Sequence, residues 1–344
     1  MNNSAKKKQQ KYIRIVYLLA TFISVLIVIL MYTQFTSKTT IVEKKKYIAW
    51  SANSLILDQS NDAIPDNVTY GYKLITNTSE YLGPLAQKES MRFAGNNLSC
   101  TNCHLDAGRK IGSGSFVGIT NRFPQFRGRE NKIGTLAERI NGCFERSMNG
   151  RAMDTALEEM KAMIAYMDWL SKDVPKEIEK KYKGYRKINI PTIKADVDKG
   201  KILYKQKCMI CHQENGTGMK KPGNRFTGYI YPPLGGKDSY NNGAGMHRVI
   251  TAAEFIKSNM PLGATYDSPQ VTDVEAYNVA AYINTFLRPE KKNKKEDFPD
   301  KKLKPVSTPY GPWVDNFSQE QHKFGPFQPI MLYYKKTYNI TKSK

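Results

Sequence analysis

At 344 residues the chain exceeds one small domain and has length for two. Fifty-three lysines and arginines against 31 acidic residues give a formal charge of +22. Such an excess selects anions as partners, whether nucleic acid, anionic lipid or small anionic substrates. The lysines are scattered through loops and termini as solvated charge, but the arginines are not evenly spread.

Lys6, Lys7, Lys8 and Lys11 precede an uncharged apolar run from Ile15 to Tyr32. A helix there nearly crosses a hydrocarbon core of ~30 Å at ~1.5 Å per residue. The run is long for a leader, and Thr33-Gln34-Phe35-Thr36 offers no small-x-small cleavage site, so an uncleaved signal anchor is expected. The preceding lysines favour an inside N-terminus, an asymmetry that Lys44, Lys45 and Lys46 weaken.

Asp66 to Thr76 reads as a short helix ahead of Cys100-Thr101-Asn102-Cys103-His104. Cys-x-x-Cys-His is the c-type haem attachment signature, in which two thiols form thioethers to the porphyrin and the histidine reaches the iron. The same spacing recurs at Cys208-Met209-Ile210-Cys211-His212, so two covalently bound haem c groups are expected, with His104 and His212 as ligands. A zinc knuckle or a thioredoxin-like pair would lack the adjoining histidine. Covalent haem attachment belongs to the far side of the bacterial inner membrane. The body is therefore expected in the periplasm, anchored through residues 15–32, and a nucleic-acid partner falls away.

Four of the five cysteines stand in these two motifs, which leaves Cys143. Thr135 with Glu138 is a capping-box start. A helix running on through Asn141-Gly142 would place Arg139, Cys143 and Ser147 on one face, with Arg146 beside them. Asn-Gly is also a turn signal. A free cysteine is usually a small core residue. Against that, an unoccupied periplasmic thiol is open to oxidation, and the first haem needs a sixth ligand. Met148, Met153, Met160 and Met163 compete for that place, Met148 foremost, while Met160 and Met163 suit a core. Arg122, Arg127, Arg129, Arg139, Arg146 and Arg151 crowd the same stretch, and their planar forks match oxyanions or haem propionates. A closing helix is expected over 156–170, with no strand-like alternation.

Residues 171–196, charged and carrying Pro175 and Pro191, read as a strap between domains. Helices are expected over 197–207, 253–257 and 274–287, the order of a small monohaem cytochrome c. Met260, before Pro261, is the expected distal ligand of the second haem, with His247 the alternative. The tail from Glu296 reads as extended chain packed across the domains, without assignable chemistry, and His322 as structural. The fold expected is thus all-α. Residues 1–47 hold a cytoplasmic stub, anchor and stalk, 48–171 and 197–289 two tandem cytochrome c domains, 172–196 a linker and 290–344 an extension.

Asn97 to Gly108, Arg122-Phe123-Pro124-Gln125 and Arg139 to Arg151 resemble the dihaem thiosulfate dehydrogenase family, whose members also act as tetrathionate reductases. The resemblance covers about residues 65 to 288. It implies that Cys143 is the distal ligand of the first haem, opposite His104, and that this haem is the active site. Arg129, Arg139 and Ser147 match active-site positions of the family. Some relatives carry an exchangeable lysine just before the second-haem methionine; here Asn259 stands there, with Lys257 offset. The function implied is interconversion of two thiosulfates with one tetrathionate and two electrons, exchanged with a periplasmic or membrane partner, a cytochrome or quinol-linked protein. The alternative is a non-enzymatic dihaem carrier serving a terminal oxidase or peroxidase, with Met148 on the first iron.

Overall fold

The computed structural model describes residues 11–33, 64–223 and 228–344, in two units divided between Asn61 and Asp62. The flanking lysines 6–8 and 44–46 and the expected boundary at 47/48 lie outside the described residues. In the first unit, helix α1 covers Lys11–Thr33, 23 residues. By length and composition it can cross a membrane.

The second unit is mainly helical. Its elements in chain order are α2 (Asp66–Thr76), β1 (Gln125–Arg127), β2 (Lys132–Gly134), α3 (Leu136–Arg146), α4 (Glu158–Trp169), α5 (Lys176–Tyr182), α6 (Val197–Lys207), β3 (Met219–Lys220), β4 (Tyr229–Tyr231), α7 (Val249–Asn259), α8 (Asp273–Ile283), α9 (Gln319–Phe324) and α10 (Gln328–Tyr338). The paired strands β1–β2 and β3–β4 are two short antiparallel ribbons, a minor addition to a fold that is mainly helical as expected. Pairs two or three residues long show too little alternation to be read from sequence. The expected helix at 253–257 runs from Val249 to Asn259, buried on nearly every side. A helix without a polar face leaves no amphipathic stripe from which to judge its length.

Each haem-attachment segment is held by a first and a last helix packed together, α2 on α4 and α6 on α8. Both crossings run over a glycine. A Cβ at Gly71 would overlap the Ala162 carbonyl oxygen, and one at Gly200 the Asn278 carbonyl oxygen. The first core is built on Leu74, Ile75, Phe144, Met160, Met163 and Tyr166. The second gathers Tyr204, Ile250, Ala253, Tyr277 and Ala280 with residues from outside the expected domain. Ile188 and Ala195 come from the strap, and Phe327, Ile330 and Tyr334 from the extension. The tail does pack across both domains, but not as extended chain: α9 and α10 complete the second core, while Asp297 pairs with Arg129 and Arg146 of the first. Tyr277 Oη donates to the Phe324 carbonyl at 2.7 Å. His322 is fully buried between the Val306 carbonyl and Asp315, as a structural residue would be.

Asparagines join the halves. Asn97 donates from its backbone and side chain to Asp238, at 3.0 and 3.1 Å, while Asn241 reaches the carbonyls of Arg146 and Glu145. Asn259 Nδ2 donates to the Gly112 carbonyl at 2.8 Å. These bonds tie the loop at 238–241 to the end of α3, and α7 to the segment after His104.

Candidate active site

Helix α3 begins at the Thr135–Glu138 capping box and continues through Asn141-Gly142, so its tertiary packing overrides the turn signal. Arg139, Cys143 and Ser147 all line one cavity, together with Cys100, Cys103, His104 and Met148. Arg139 Nη1 donates to Cys143 Sγ at 2.8 Å. Burial alone would raise the Cys143 thiol. The Arg139 charge, with hydrogen bonds from His104 and Arg139, outweighs it and brings the group down to about 6. Cys100 has a donor in Thr78, at 3.4 Å, but no neighbouring guanidinium offsets burial, which pushes Cys100 up to about 11 and Cys103 to about 12.

The His104 Nδ1 is 2.7 Å from the Gly114 carbonyl, an oxygen that only accepts, so Nδ1 carries a proton; Nε2 is the nitrogen left for Cys143 here and for a metal once the two side chains part. Phe116 lies against the imidazole, ring centroids 4.6 Å apart. The second attachment site repeats the device, with His212 Nδ1 2.9 Å from the Pro232 carbonyl. Cys208, Cys211, His212 and Met260 line a cavity of ≈ 550 Å³.

The residues fit two c-type haems. Each cavity joins a thiol pair, an imidazole with a fixed tautomer and a second sulfur. The first cavity is narrower, ≈ 90 Å³, with His104 bonded to Cys143; a porphyrin between them requires the two side chains to part. Among the described residues no three His, Cys, Asp or Glu side chains converge as a zinc site would need. Leu98, Cys103, Tyr240 and Met246 line both cavities, so the two sites share a wall.

The arginine cluster divides. Arg127 pairs with Glu130 through two bonds, at 2.9 and 3.0 Å, and Arg122 is 4.0 Å from Glu179. Arg151 lies over Phe93. Arg146 does not share the Cys143 face but turns back to Asp297, at 2.6 Å. Arg129 does not line the Cys143 cavity either. Its Nη1 reaches Asp297 at 2.6 Å, the Gly243 carbonyl at 3.1 Å and Tyr310 Oη at 3.4 Å. Arg139 is the member bonded to the thiol. Sequence reading passed over Arg248, which precedes α7. Burial and repulsion from Arg129 and Arg139 pull it down to about 10, and among the described residues it has no acidic partner within ion-pair distance. The sequence signal was an arginine beside His247, too ordinary to single out. Met148 also lines the first cavity, whereas Met160 lies in the core. His247, the alternative second ligand, is held by the Asn242 carbonyl. Lys257 is turned to Asp273 and the Val271 carbonyl.

Two tandem cytochrome c domains, each with its own attachment site, make this chain a dihaem c-type cytochrome. Residues 91–175 match the model of the SoxA/TsdA cytochrome c domain, and residues 197–286 that of cytochrome c. A thiosulfate dehydrogenase of Stutzerimonas stutzeri is 42% identical over 204 residues, 59% of this chain and 64% of that protein. One from Psychrobacter arcticus is 40% identical over 62% of this chain and 63% of its own length. One from Allochromatium vinosum is 40% identical, with 57% of this chain covering 72% of it. The solved structure of thiosulfate dehydrogenase (TsdBA) from Marichromatium purpuratum, in its as-isolated form, superposes with a TM-score of 0.60 at 35% identity, over 68% of this chain and 50% of that one. The chain belongs to the thiosulfate dehydrogenase family of dihaem cytochromes c. Its match spans slightly under two thirds of the first two relatives.

Proposed function

We propose that this protein interconverts two thiosulfates with one tetrathionate and two electrons, at the cavity walled by Cys143. The observation that carries the reading is the 2.8 Å contact of Arg139 with Cys143, on one helix face with Ser147. The Arg139 guanidinium against a half-buried sulfur keeps that sulfur anionic and offers a charge to an arriving dianion. Two dianions repel, so fixed positive charge is the electrostatic requirement of the reaction. Arg139 and Arg129 hold the dianions, and Ser147 donates a hydrogen bond. In the oxidative direction the Cys143 thiolate joins the outer sulfur of one thiosulfate, forming an S–S bond and releasing two electrons. A second thiosulfate then attacks that adduct, tetrathionate leaves, and the thiolate is restored. The haems, when bound, accept and pass single electrons.

Cys143 and His104 would hold the iron of the first haem, and Met260 and His212 that of the second. The domain limits 48–171 and 197–289 are those proposed for the two haem domains, with the linker and extension as given above. The body works in the periplasm, held to the inner membrane by α1. It exchanges electrons with a cytochrome or quinol-linked protein.

Replacement of Cys143 by Gly, followed by spectra and assays with thiosulfate and with tetrathionate, tests the reading. Loss of a thiolate-ligated haem spectrum together with loss of both activities is expected. Unchanged activity in the variant would take the site away from Cys143, whereas a wild type with Met148 on the iron and neither activity would be a two-centre electron carrier.

A further inference from the structure

The extension beyond residue 286 lies outside both matched segments, yet it supplies the carboxylate between two of the arginines. Asp297 is buried, 4% exposed, and its two oxygens are divided: Oδ2 to Arg129 and Oδ1 to Arg146, each at 2.6 Å. Tyr310, also from the extension, donates to Oδ2 at 2.8 Å. The backbone is bound as well, Phe298 N–H donating to the Arg129 carbonyl at 2.8 Å, and the Phe298 ring faces the guanidinium at 5.0 Å.

A carboxylate beside an anion site opposes the substrate, so its presence needs a reason. Two buried guanidiniums side by side repel each other, and a shared carboxylate lets both stay charged and close. All three bonds to the Arg129 head end on one nitrogen, Nη1. Its Nη2 and Nε, the edge able to grip an oxyanion through two N–H groups, have no hydrogen-bond partner among the described residues. On the other side, Arg146 occupies the last turn of α3, next to Ser147.

We infer that Asp297 is a positioning residue of the anion site, clamping Arg129 by one edge and the end of α3 through Arg146, so that the C-terminal extension is a working part of the first haem site. The inference rests on the proposed thiosulfate–tetrathionate activity. Asp297 touches neither substrate nor haem: Arg146 anchors it, and its effect on affinity passes through Arg129.

The test uses the full-length, haem-loaded protein. For Asp297→Asn, we expect KM for thiosulfate to rise about tenfold while kcat stays within about twofold, the mark of weaker binding common to ground and transition states. Calorimetric binding of inorganic thiosulfate weakens by the same factor, and the first-haem spectrum is unchanged. Arg129→Gln with Asp297→Asn is no worse than Arg129→Gln alone, because one residue acts through the other. Asp297→Glu restores part of the affinity. If Asp297→Asn does not fold, Tyr310→Phe, which keeps both charges, is expected to raise KM in the same direction by a smaller factor. A fall in kcat at constant KM, or effects of Asp297 and Arg129 that multiply in the double variant, overturns the clamp. A wild type that binds thiosulfate but turns over neither compound overturns the functional reading, and calorimetry still decides the clamp.

Discussion

Arg139 and Cys143 are four residues apart on α3, the spacing at which helical side chains meet. That much was legible: the capping box fixed the start of the helix and the i, i+4, i+8 spacing placed arginine, thiol and hydroxyl together. Arg129 was not, because its bonds run to Asp297, 168 residues on, and no local pattern signals such a pairing. The contact sets a sharp expectation at this scale. Arg139→Gln removes the charged donor bonded to a half-buried sulfur anion, and the loss of one partner from such a hydrogen-bonded charge pair costs more than a solvated surface contact. Measured kcat/KM for thiosulfate should fall about a hundredfold. Arg127→Gln breaks only a pair with Glu130 and should change kcat/KM by less than about threefold. Equal losses in the two variants would show that overall charge, not the bond to the thiol, is what matters.

The helices that hold the attachment sites make their own demand. Glycine inside a helix costs stability relative to alanine, so Gly71 in α2 and Gly200 in α6 call for a reason. The reason is close approach: α4 and α8 each bring a backbone carbonyl to where a Cβ would stand. Gly71→Ala and Gly200→Ala should therefore destabilise their domains by about 1–3 kcal/mol, as overpacking does, despite alanine's better helix propensity. Denaturant titration of each variant checks this, and a stabilised variant would mean the helices can move apart without cost. In the extension, Lys304 is 1% exposed and donates to the carbonyls of Tyr310 and Pro312. Burial, with repulsion from Lys301, lowers it from its ordinary 10.5 to about 8. Below pH 8 its charge is held at a cost. Between about 8 and 10.5 the unfolded chain binds the proton and the folded chain does not, so this group's contribution to stability rises with pH across that window. Lys304→Met should flatten the rise in a series of denaturation curves, and an unchanged slope would refute the assignment.

At the scale of the whole molecule, the sequence told most where information is local. The two Cys-x-x-Cys-His motifs named the cofactor, and the limits of α2 and α6 were readable from their residues. It told least about the extension, since Phe327, Ile330 and Tyr334 join a core begun more than a hundred residues earlier by Tyr204. No periodicity declares which distant core a short helix completes. Charge is the other property that belongs to the molecule entire. A formal +22 surrounds a site proposed to admit dianions, and its field adds to that of Arg139. The two contributions separate by range. The Debye length shrinks from about 30 Å at ~0.01 M salt to about 3 Å at ~1 M, which screens distant lysines but not a guanidinium in contact with a sulfur at 2.8 Å. Over that range in sodium chloride, kcat/KM for thiosulfate should fall about tenfold from lost steering. Chloride is the proper salt, because sulfate is itself a dianion and would compete. Asp297→Asn changes the total charge by one in 22, so its plot against salt should run parallel to the wild type, displaced by a constant factor. If Asp297→Asn lies above the wild type at low salt and the two plots converge at high salt, the Asp297 effect is long-range repulsion of the substrate; parallel plots with the variant below mark it as local positioning of Arg129.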